Sequence, residues 1–171
     1  MYPSHKEQKE YADYWEQYLT QFPFEWFATL TYNENVKYFT AIGHFKYWRK
    51  KIETEMKYRL GGFCFIAYRG DHPHIHVLAL GRGQNGSTLY DMSKRYGEMV
   101  WCKNPKNMTT CRGYARVKEI ASGDVENVAG YVARHFNGFM ARYCRHDPFG
   151  EDLLMEHFKP RHAGVDFFGA L

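Results

Sequence analysis

Two histidines, His74 and His76, stand one residue apart at the head of an apolar run, HIHVLAL. Side chains two apart on a strand leave the same face, so both imidazoles project together while Ile75 enters the opposite layer. A pair of neutral imidazoles at this spacing can share one divalent ion, the plainer alternative being one packed and one solvated ring. A second group lies in VENVAGYVARHF. On a helix, Val125, Val128, Ala129, Val132 and Phe136 form one apolar stripe, and Tyr131 falls roughly 120° from its centre. His135 follows one turn later on the face of Tyr131, and Arg134 lies on the polar side at i+3. Tyr131 is therefore a residue at the rim of the core or a nucleophile. Phenols ionise near pH ~10 in water, so nucleophilic use at neutral pH needs a nearby cation or a metal-activated substrate. The third group is WFATLTY, in which Phe27, Thr29 and Thr31 share one strand face. If that strand adjoins the histidine strand, its threonines can orient a metal site or hydrogen-bond a sugar-phosphate backbone.

The elements that must carry these groups follow from periodicity. Ser4 and Glu7 have capping-box spacing, and Tyr11, Trp15, Tyr18 and Leu19 recur at helical intervals up to Pro23, which predicts an N-terminal helix over residues 1–22. Trp26 to Tyr32 alternates as a strand. An amphipathic stretch from about Phe39 to Leu60 predicts a helix stopped by Gly61 and Gly62. Phe63 to Arg69 and His74 to Leu80, separated by Gly70, Asp71, His72 and Pro73, read as a hairpin. Thr88 to Met99 reads as a helix, Tyr114 to Ile120 as a fourth strand and Val125 to about Phe136 as a last helix. Residues 139–171 carry no firm pattern. Strand, helix, strand, strand, helix, strand is the ferredoxin-like split βαβ plan, an α+β fold with an antiparallel sheet. Right-handed crossovers set the first strand beside the third.

The chain has 171 residues, 44% hydrophobic and 25% charged. It is expected to be a single domain with its core at about 26–136 and a C-terminal extension. No apolar run approaches the roughly 18 residues needed to cross a bilayer, and the start lacks a signal-like apolar centre, so a cytoplasmic protein is expected. Four cysteines without a CxxC pair read as thiols. The net charge is +4, but residues 61–145 carry 12 basic and 6 acidic groups, whereas 146–171 carry 2 and 5. A basic middle interleaved with aromatic rings suits a polyanion whose bases can stack. Lys46, Arg49, Lys50 and Lys51 read as a solvated helix face. Cys144, His146, His157 and His162 match no compact zinc pattern. No P-loop occurs, so any unwinding must come from a separate helicase.

FATLTY, HPHIH and AGYVARHF, in that order, resemble the three motifs of the HUH endonucleases, especially the rolling-circle replication initiators (Rep proteins) of prokaryotic plasmids and single-stranded DNA viruses. The resemblance covers residues 26–136 and implies the same split βαβ core. It implies that His74 and His76 bind Mn²⁺ or Mg²⁺ and that Tyr131 attacks a single-stranded DNA origin, unpaired in a hairpin or melted duplex, to give a 5′-phosphotyrosyl adduct. Arg134 stands where many relatives have lysine, keeping the charge in a planar fork. His135 stands where others carry a second tyrosine. It is the preferred third ligand, by resemblance to single-tyrosine transposases of the same superfamily, with Asp71 and His72 of the turn as the other groups near the histidine pair. Thr29, Thr31, Arg69 and Lys118 are the expected DNA contacts. A transposase or relaxase with the same chemistry, and a non-catalytic module like the RNA-recognition domains, are the alternatives.

Overall fold

The computed structural model describes residues 5–69, 72–83, 89–102, 111–121, 123–134 and 145–149. Ser4, Asp71 and His135 therefore lie outside the described residues. Along the chain run α1 (His5–Leu19), β1 (Trp26–Thr31), α2 (Tyr38–Met56), β2 (Tyr58–Arg69), β3 (His72–Gly83), α3 (Leu89–Cys102), β4 (Ala115–Glu119), α4 (Val125–Ala133) and β5 (Arg145–Phe149). They build one antiparallel sheet in the order β4-β1-β3-β2-β5. β1 and β2 run parallel with β3 between them, and β3 and β4 run parallel with β1 between them. This is the ferredoxin-like α+β plan, and it sets β1 beside β3 as right-handed crossovers require.

Strict alternation along β1, with Trp26, Ala28 and Leu30 fully buried and Phe27, Thr29 and Thr31 half-buried, divides the sheet into two unlike faces. One face packs under α2 and α3 through Trp26, Trp48, Ile52, Ile75, Val77 and Trp101. The other packs under α1 and α4 through Trp15, Tyr18, Leu19, Phe63, Phe65, Leu78, Ala129 and Val132. The aromatic stripe of α1 meets β2 edge-on, with Trp15 at 6.0 Å from Phe65 and Tyr18 at 5.8 Å from Phe63. Small residues let α4 approach α1, since a Cβ on Gly130 would lie 3.0 Å from a Glu16 carboxylate oxygen. No described helix is long and apolar enough to cross a membrane.

Several boundaries differ from expectation. α2 ends before Gly61, because Lys57 adopts the left-handed conformation (φ 54°) that stops it and frees Tyr58 to start β2. Gly61 and Gly62 lie within β2, where a Cβ on Gly62 would collide with the Leu78 carbonyl. The hairpin extends through Arg69 opposite His72, so His72 and Pro73 belong to β3. β5, which has no counterpart among the expected elements, pairs with β2 from Gly62 to Ile66.

Candidate active site

Register brings the three groups together. On β1 and β3, Thr29 lies opposite His76 and Thr31 opposite His74, and directly paired residues share a face of the sheet. That face is the one α4 covers. The His76 ring is 3% exposed. It stacks on Phe27 with centroids 5.6 Å apart and planes 12° apart. Tyr131 meets both rings edge-on, at 5.7 Å from His76 and 5.9 Å from Phe27. Because Tyr131 sits off the apolar stripe of Ala129, Val132 and Ala133, it remains 43% exposed while still packing against His76 and Phe27.

The Thr29 hydroxyl lies 3.3 Å from His76 Nδ1. In the tautomer whose Nδ1–H donates to this hydroxyl, the Nε2 lone pair is the one available to a ligand, and such a bond orients the ring for metal binding. The half-buried His74 shares the strand face two residues away. Two imidazoles on one strand face have the donor chemistry for a divalent ion of the Mn²⁺ type as part of a ligand set. Among the described residues no group of three or more His, Cys, Asp or Glu is placed to hold a metal. The expected third ligand, His135, lies outside them.

The other expected residues divide. Arg134 follows α4 directly and is exposed. Thr31 is committed elsewhere: its hydroxyl donates to the Tyr114 carbonyl at 3.0 Å and accepts from the Tyr114 N–H at 3.1 Å, tying β1 to the segment before β4. Arg69 ends β2, and its side chain lies outside the described part. Lys118 pairs with Phe27 on the far side of β1 from β3 and is exposed on the same face as His76.

Lys118 has a neighbour that sequence reasoning passed over. Arg116 lies opposite Thr29, so the row Arg116, Thr29, His76 crosses three strands. Between this edge of the sheet and α4 opens a groove of about 670 Å³, lined by Phe27, Thr29, Tyr114, Arg116, Lys118 and Tyr131, with Glu119 and Asp124 also on its wall. Tyr114 is 61% exposed. Alternation of Tyr114, Arg116 and Lys118 along one short strand was the available signal, and it places an aromatic ring and two cations on one side.

No family model and no curated protein matches the chain. Among solved structures, it is similar to the crystal structure of the hypothetical protein ORF119 from Sulfolobus islandicus rod-shaped virus 1. The two share 19% identity over 74% of this chain and 90% of that one, with a TM-score of 0.39. So slight a likeness assigns no role.

Proposed function

We propose that the protein is a metal-dependent, HUH-type endonuclease that nicks and rejoins single-stranded DNA through Tyr131, as the initiators of rolling-circle replication do. The observation that carries this reading is the edge-on contact of the exposed Tyr131 ring with His76 at the mouth of a groove bearing Arg116 and Lys118. Arg116 and Lys118 bind the phosphates of an unpaired strand and bring one phosphodiester to the phenol. Tyr131 Oη attacks that phosphorus and loses its proton to water. The bond from phosphorus to the 3′ oxygen breaks, and that oxygen leaves as a hydroxyl after taking up a proton. The ester is conserved as a 5′-phosphotyrosine, which a 3′ hydroxyl can later displace to reseal the strand. His74 and His76 would hold a Mn²⁺ or Mg²⁺ ion, which would supply positive charge to offset that of the phosphate. Arg134, three residues beyond the nucleophile, offers a further cation to the same phosphate. On this reading a helicase opens the duplex at the origin, and the setting is the cytoplasm of a prokaryotic host. A transposase or relaxase would use the same residues on a different substrate.

The exposed Tyr114 ring beside two cations supports a second reading, a non-catalytic strand-binding module that stacks bases. One experiment separates the two. Incubation with a randomised single-stranded library and Mn²⁺ is expected to yield a protein–DNA adduct that survives denaturation. Tyr131→Phe and chelation should each abolish the adduct while leaving strand binding in place. Binding with no adduct from the wild-type chain identifies the module, and an adduct from Tyr131→Phe removes Tyr131 as nucleophile.

A further inference from the structure

Away from the His76 face, the end of α3 meets the segment leading into β4. The Cys102 and Cys111 thiols both donate to the Gly113 carbonyl, at 3.4 Å and 3.0 Å. The Arg112 N–H donates to the Cys102 carbonyl at 3.3 Å, which holds Cys111, the residue before it, alongside Cys102. Sharing one acceptor sets the two thiols side by side at the Gly113 carbonyl. We propose that Cys102 and Cys111 are a redox-active dithiol that closes reversibly to a disulfide, fastening the C-terminus of α3 to the strand entry that carries Tyr114. Disulfide geometry requires neighbouring backbones, and the Arg112 bond supplies them.

The two thiols are unequal. Cys111 is exposed and Cys102 half-buried, whereas Cys64 is sealed under the sheet. Burial, reinforced by the neighbouring Cys111 thiol, pushes Cys102 up to about 11. Cys111 is therefore the thiol that meets an oxidant, and Cys102 the one that resolves. With a disulfide oxidant such as oxidised glutathione, the Cys111 thiolate attacks one glutathione sulfur and the other glutathione leaves as a thiolate. Cys102 then gives up its proton and displaces the second glutathione from Cys111. Two protein thiols become one disulfide, and the oxidant becomes two thiols that carry the two protons. The bridge encloses a loop of roughly ten residues, enough to restrict the unfolded chain appreciably. Because Tyr114 borders the groove and its backbone is bonded to Thr31, the bridge stiffens that end of the groove.

The test equilibrates the full chain in buffers of graded reduced and oxidised glutathione, quenches with acid, alkylates and weighs the protein. The expected product carries two alkyl groups fewer than the fully reduced chain, lacks about 2 Da more for the two thiol hydrogens, carries no glutathione and yields a peptide pair joined at 102 and 111. Its thermal midpoint should stand about 5 °C or more above that of the reduced protein. Cys111→Ser and Cys102→Ser should each lose the bridge, while Cys144→Ser keeps it. A lasting glutathione adduct on Cys111, a bridge to Cys144, full alkylation of both thiols across the series, or a bridge that leaves the midpoint unmoved would each overturn the proposal. None of these readouts involves DNA, so they stand or fall apart from the nicking reaction.

Discussion

At Thr29 a single hydroxyl lies 3.3 Å from His76 Nδ1, and the direction of the bond between them goes with which ring nitrogen keeps a lone pair. With Oγ1 accepting from Nδ1–H, Nε2 carries the lone pair; with Oγ1 donating, Nε2 carries a hydrogen and cannot bind a cation. A ring stacked on Phe27 and 3% exposed has little freedom to flip and correct the choice. Thr29→Val keeps the shape of the side chain and removes the acceptor. It is expected to weaken Mn²⁺ binding about 10- to 100-fold, as the loss of such an orienting partner commonly does. Titration calorimetry with Mn²⁺ measures this directly, and an unchanged circular dichroism spectrum serves as the control for folding. Unaltered Mn²⁺ affinity would mean that the hydroxyl does not set the tautomer.

Between elements, the junction of β1 with β4 fixes where the groove lies relative to His76. The Thr31 N–H donates to Tyr114 at 2.8 Å, the Asn33 N–H donates to Arg112 at 3.1 Å, and the Trp101 indole donates to the Thr31 carbonyl at 2.9 Å. Gly113 sits so close beneath that carbonyl that a Cβ would collide with it. Gly113→Ala must therefore part the strands, and a cost of about 3 kcal/mol or more is expected, read from urea unfolding. The docking of α1 makes a different prediction. Burial, with a smaller contribution from Tyr14, pushes the Tyr18 phenol up to about 12 from its ordinary value near 10. The unfolded chain ionises more readily, so this stability is complete below pH ~10 and is lost as pH rises through the folded value. Alkaline unfolding monitored by circular dichroism should be less steep in Tyr18→Phe. The order of these elements was legible because each carries its own period, and the adjacency of β1 and β3 followed from crossover handedness. The ends were not. Lys57 stops α2 by adopting a left-handed backbone that no composition signal announces, and β5 hides in RHDPF, a string with proline and charge that becomes a strand by pairing with β2. At the site, His76 and Tyr131 were legible as types in a pattern. Arg116 was legible only through its alternation with Lys118, and its place in line with Thr29 needed the register across β1.

Across the whole molecule the charge is arranged more tellingly than its sum of +4 conveys. Arg116 and Lys118 point to the α1 and α4 side of the sheet, on the wall of the groove, whereas the lysines of α2 belong to the layer on the opposite side. A strand lying past Tyr131 displaces counterions only where cations meet its phosphates. For single strands each such contact contributes about 0.7 to the slope of log affinity against log salt. Arg116→Ala and Lys118→Ala should each reduce the slope by about that amount, and the double variant by about twice as much. Lys46→Ala and Lys50→Ala, both exposed on α2, should leave it unchanged. Fluorescence anisotropy of a labelled oligonucleotide between about 50 and 200 mM salt, in chelator so that no adduct forms, resolves these slopes. The comparison separates a localised path from diffuse attraction. A net charge of +4 acting at a distance would make every lysine count alike, and screening would erase it beyond about 10 Å at 0.1 M salt. A path through the groove makes two residues count and two not. If the α2 variants lower the slope as much as the groove variants do, the strand does not run past Tyr131, and the phenol beside His76 has no phosphate brought to it.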